Sequence, residues 1–111
     1  MRVTNEMTGQ PIGHFADIST TGFRLECSRE LPVDTNLRLR VEQVGVGVTK
    51  NFVSFVARTK WCRHDEYDYS TYNIGFQLVN ISRTDYDIFV KMFETYGVQK
   101  SINLDNSTQY F

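Results

Sequence analysis

Phe23-Arg24-Leu25-Glu26-Cys27 alternates apolar and charged side chains without a break, the two-residue period of a strand with one buried face. Phe23, Leu25 and Cys27 therefore point one way, and Arg24 and Glu26 the other. The pattern returns in Leu37-Arg38-Leu39-Arg40-Val41-Glu42. It returns again from Asn51 to Cys62, where β-branched and aromatic residues crowd into a longer strand that ends at Trp61. Asn73-Ile74-Gly75-Phe76-Gln77-Leu78-Val79 is a further strand, with Gly75 marking a bulge or the close approach of another group. Upstream, Arg2-Val3-Thr4-Asn5 runs into a hairpin turn at Thr8-Gly9-Gln10-Pro11, and Gly13 to Ser19 carries Phe15 and Ile18 into a second turn, Ser19-Thr20-Thr21-Gly22. Leu31 to Asn36 is a loop around Pro32, Gly45-Val46-Gly47-Val48 a flexible connection, and the polar, Asp- and Tyr-rich stretch from Arg63 to Tyr72 a hairpin loop. The count of about five or six strands fits a small sheet or barrel.

After Ile81 the period changes. Ser82 stands as N-cap, Asp85 as its acidic partner three residues on, and Ile81 with Tyr86 in the staple positions. Tyr86, Phe89, Phe93 and Tyr96 recur at helical spacing with Met92 beside them, and Gly97 suits a left-handed cap. Such an aromatic stripe is core, and here it covers one open end of the sheet. The expected organisation is one folded unit over residues 1–97 and a polar tail over 98–111.

A chain of 111 residues supports a single core. Its net charge of -1 supplies no overall attraction to DNA, RNA or an anionic membrane, and no apolar run reaches the roughly 20 residues needed to span a bilayer. The opening Met-Arg-Val-Thr-Asn-Glu is unlike a signal peptide, so the expected location is the cytoplasm, without membrane insertion. Cys27 and Cys62 lie inside strand-like stretches and are read as reduced, packed thiols. Cys62 and His64 could begin a zinc site, but no second Cys/His pair completes four ligands, and no metal or cofactor is expected. His14 and His64 are the imidazoles of the chain, and neither stands in a nucleophile or metal motif. The carboxylate pairs Asp65/Glu66 and Asp85/Asp87 are accounted for by solvation and helix capping. The chain is therefore expected to be a binding module with no catalytic residues.

Asp17-Ile18-Ser19-Thr20-Thr21-Gly22 has the form D-x-S-x-x-G and leads directly into the Phe23 strand. By itself such a turn is common, with its Asp and Ser bonding the local backbone. With the hairpin before it, the strand from Ala57 to Trp61, the strand at Ile74-Gly75-Phe76 and the terminal helix, it resembles the PilZ domains, bacterial receptors for cyclic di-GMP. The likeness covers nearly all of residues 2–97.

The resemblance implies a six-stranded antiparallel β-barrel with one C-terminal α-helix against an opening, and cyclic di-GMP as ligand. It also implies ligand-binding roles for Asp17, Ser19, Gly22 and Trp61. Asp17 suits the N1 and N2 edge of guanine, Ser19 a phosphate or base, and Gly22 a close backbone turn beside the ligand. Trp61 is read either as a stacking face for a base or as packing at the barrel mouth. The family also carries an R-x-x-x-R segment ahead of its first strand, and this sequence does not; Arg2 falls inside the strand. Loss of two charge-assisted partners, at about 1.5–3 kcal/mol each, weakens binding by a few orders of magnitude. Two expectations follow: an arginine arm lies upstream in a longer chain, or the domain is a PilZ-like adaptor that works by protein contact. The aromatic, acidic loop from Asp65 to Tyr72 is the surface expected to meet such a protein partner.

Overall fold

The computed structural model describes residues 2–42 and 52–96, with side chains in the helix as far as Lys91. The Gly45 to Val48 connection, the Gly97 cap, the side chains of Met92, Phe93 and Tyr96, and the polar tail lie outside the described residues. Six strands, β1 (Arg2–Asn5), β2 (Pro11–Ile18), β3 (Gly22–Cys27), β4 (Asn36–Glu42), β5 (Phe52–His64) and β6 (Tyr72–Ile81), precede one helix, α1 (Arg83–Tyr96). Every pairing is antiparallel, and the order β1-β2-β3-β6-β5-β4 closes on itself as a barrel. Closure removes the exposed edges that an open sheet of this size would carry.

The turns sit where their residues require them. Gly9 has φ 76° in the β1–β2 turn, whose ends are tied by bonds from Asn5 N to Gln10 O and from Gly9 N to Asn5 O. In the β3–β4 loop, Asp34 also takes a positive φ of 56°, and the fully buried Thr59 of β5 holds the loop in place. Its hydroxyl donates to Pro32 O at 2.7 Å and accepts from Thr35 N at 3.0 Å.

Phenylalanines fill the barrel. The Phe23 ring stacks on Phe76 at 5.0 Å and meets Phe15 and Phe55 edge-on at 5.1 and 5.6 Å. Phe89 of α1 is 3 % exposed and closes the cluster against Phe15 and Phe55, which is how the helix covers the open end. Ser82 caps α1 as expected, its Oγ accepting from Asp85 N at 3.0 Å. The Asp85 carboxylate accepts from Ser54 N of β5 at 3.4 Å, just beyond the last β5–β6 pair at Phe55 and Ile81. It thus satisfies a strand amide that β6 stops short of, and joins the helix start to the barrel.

β5 runs three residues past Trp61, because Cys62, Arg63 and His64 pair with Ile74, Asn73 and Tyr72 of β6. The hairpin loop is correspondingly shorter than the sequence suggests and is confined to residues 65–71.

Candidate functional site

Two bulges decide which way the site residues face. Strict alternation along β5 puts Val53, Phe55, Ala57 and Thr59 inside, all at most 1 % exposed, and would carry Trp61 inside as well. The register instead slips between Thr59 and Trp61, so that Lys60 is the extra residue and Trp61 pairs with Gly75. Gly75 lies between the inward Ile74 and Phe76, so its partner faces out. On β2 the same happens between Phe15 and Asp17: Phe15 pairs with the inward Leu25, Ala16 is the extra residue, and Asp17 pairs with the outward Arg24. A one-residue slip moves the following side chain to the other face of the sheet.

The result is a row across four strands on the outside of the barrel: Asp17, Arg24, Gly75 and Trp61. At one strand spacing per step the row is ~14 Å long. Gly75 contributes no side chain, and the Trp61 indole occupies its place, since a Cβ there would collide with indole Cε2 and Nε1. The close approach expected at Gly75 is present, while the adjoining bulge belongs to β5. The Arg63 guanidinium covers the Trp61 ring at 4.8 Å from its centroid.

Arg24 is aimed by a relay from the β5–β6 loop. Its Nη1 donates to Asn73 Oδ1 at 2.7 Å, and Asn73 Nδ2 donates to Asp65 Oδ1 at 2.9 Å. The other Asp65 oxygen accepts from Tyr67 N and Asp68 N, both at 3.0 Å. The Asn73 side chain above all, with these loop amides, holds the Asp65 carboxyl below its ordinary range. Asp68 is lowered likewise by Ser70, whose hydroxyl donates at 2.6 Å, and by Thr71. His64 stacks on Tyr69 at 3.9 Å and donates from Nδ1 to Tyr69 O at 3.0 Å. Tyr67 and Tyr69 remain 92 % and 77 % exposed.

Arg24, Trp61, Arg63, Asp65 and Asn73 line a cavity of about 520 Å³. Arg24 was visible in the sequence on the polar face of β3 and Trp61 near the end of β5, whereas Arg63 was assigned to the hairpin loop and lies on β5. Nothing in the sequence linked Asn73 or Asp65 to Arg24, because the three meet only through strand pairing.

Asp17, Ser19 and Gly22 lie together in the β2–β3 turn and are not part of that lining. Asp17 is 9 % exposed and its Oδ1 accepts from Ile18 N at 2.9 Å. Ser19, 3 % exposed, accepts from Gly22 N at 3.2 Å and from Thr21 N at 3.4 Å, and donates to Gly22 O at 3.2 Å. The hydroxyl therefore shapes the turn, which Thr21 O fastens to β6 by accepting from Leu78 N at 2.9 Å. On the far flank of the turn, Thr20, Thr21, Arg83 and Tyr86 edge a second cavity of about 600 Å³.

A closed antiparallel barrel with a phenylalanine-filled interior and its polar features on the outer wall defines a small β-barrel domain. The PilZ domain family model matches residues 3–94, and the chain belongs to that family. No curated protein and no solved structure matches the chain.

Proposed function

We propose that this chain is a cyclic di-GMP receptor domain of bacterial second-messenger signalling, cytoplasmic and non-catalytic, with Asp17, Ser19, Gly22 and Trp61 at the ligand. The observation that carries the reading is the outward row from Asp17 to Trp61, made by two separate bulges beside a D-x-S-x-x-G turn. Guanine supplies a flat face for the indole and a donor edge for a carboxylate. Ser19 acts chiefly by holding the turn, so its contribution to binding passes through the shape of that turn.

Calorimetric titration of cyclic di-GMP into the full chain, beside Asp17→Ala/Ser19→Ala, tests this. Binding that the double substitution abolishes is the expected result; absence of binding to the unsubstituted chain sinks the reading.

A second reading, an adaptor acting through protein contact, is favoured by the exposure of Tyr67 and Tyr69 on a loop whose backbone Asp65 and Asp68 hold rigid. Its test is a Tyr67→Ser/Tyr69→Ser chain, which should lose a copurifying protein while keeping its stability.

A further inference from the structure

The cavity at Trp61 contains a guanidinium that the D-x-S-x-x-G turn does not account for. Arg24 sits on the β3 side of Gly75 and Trp61 on the β5 side, at the same level of the barrel. With no side chain between them at Gly75, an aromatic shelf and a guanidinium share one stretch of surface. The relay from Asp65 through Asn73 restrains Arg24 at Nη1, so its rotamer is set before any ligand arrives. The negative charge of Asp65 is engaged by Asn73 and two loop amides.

A guanidinium beside a stacking face is matched chemically by guanine, whose O6 and N7 acceptors lie in the plane of the ring and take two parallel N–H bonds. Adenine offers a donor amine where guanine has O6, and so opposes the same fork. A base entering over Trp61 replaces Arg63 on the ring and leaves that cation at the rim, within reach of a phosphate.

We propose that Arg24 is the specificity-determining residue of the nucleotide site: aimed by Asn73 and Asp65, it reads the O6/N7 edge of a guanine stacked on Trp61. This rests on the receptor reading and adds to it a residue outside the signature turn.

Trp61 is the single tryptophan of the chain, so its fluorescence reports this cavity alone. The full chain, Arg24→Gln, Arg24→Lys and Asn73→Ala would each be titrated with cyclic di-GMP and with cyclic di-AMP, following Trp61 emission and, in parallel, heat. The expected result is quenching by cyclic di-GMP, a roughly 10- to 100-fold loss in Arg24→Gln, and a smaller loss in Asn73→Ala. In Arg24→Lys, which keeps the charge and loses the fork, cyclic di-GMP and cyclic di-AMP should both bind, with similar affinity, an outcome that loss of folding would not produce.

Heat from cyclic di-GMP without a change in Trp61 emission would place the ligand elsewhere, for example in the groove of Thr20 and Arg83, and would overturn the proposal while leaving the receptor reading intact. So would an unchanged guanine preference in both Arg24 variants. No heat and no quenching in the unsubstituted chain would overturn both. Loss in Arg24→Gln with undiminished binding by Asp17→Ala/Ser19→Ala would support the role of Arg24 and remove the signature turn from the site.

Discussion

The indole of Trp61 lies where a side chain on Gly75 would have to be. The glycine is not needed for an unusual backbone conformation; it is needed because a neighbouring strand has folded its largest side chain over it. The bulge at Lys60 makes this contact, since without the slip Trp61 would face the phenylalanines inside.

Replacing Gly75 with Ala should therefore expel the indole from β6. The ring can swing outward, so the barrel survives, at a cost of about 1–2 kcal/mol for the apolar surface returned to water. Urea unfolding followed by tryptophan emission reads both parts: a lower midpoint and a red-shifted native spectrum. An unshifted spectrum would mean that the ring is not held over Gly75.

Ser19→Ala should loosen the signature turn. It leaves the buried amide of Gly22 without its hydroxyl partner, which costs about 1–3 kcal/mol. Amide exchange should accelerate most at Thr21 and Gly22, and little in β4, on the far side of the barrel.

Thr59→Val keeps the shape of a fully buried side chain but removes its hydroxyl. Pro32 O and Thr35 N then lose the group that bonds both, and a destabilisation of about 1–3 kcal/mol is expected, read as a lower urea midpoint at unchanged slope. A neutral result would show that water replaces the hydroxyl.

The β5–β6 loop should be acid-sensitive. Asp65 and Asp68 have folded pKa values below the ordinary 3.8, so they stabilise the loop fully above that value and cease to as pH falls through the lower folded values. The Asn73 side-chain amide resonances should hold steady from neutral pH down to about 4 and move below it. In Asp65→Asn that step should be absent. On the receptor reading, the same variant should bind cyclic di-GMP less tightly, because Asn73, which bonds Arg24, loses the carboxylate that orients it.

Much of the barrel is legible from periodicity. The strand at Phe23 to Cys27, the turn glycine at Gly9 and the Ser82 cap all depend on contacts within a few residues, and local sequence is enough to specify them. The D-x-S-x-x-G turn belongs with them, because Ser19 bonds residues two and three positions away. The expected start of the hairpin loop at Arg63 failed for the opposite reason: strand length is set by the partner, and β6 supplies one as far as His64.

What the sequence determined by itself was the set of elements and their turns, since the bonds and packing preferences that specify them are short-range. Only the tertiary structure decided that Asp17 and Trp61 face outward, that Gly75 lies under the indole, and that Asp65 reaches Arg24 through Asn73. A bulge is a property of two paired strands: whether Ala16 or Lys60 is the extra residue depends on where β3 and β6 are held by the closing barrel. Alternation in one strand carries no record of that register, so the face presented by the site was settled by pairing between residues distant in the chain.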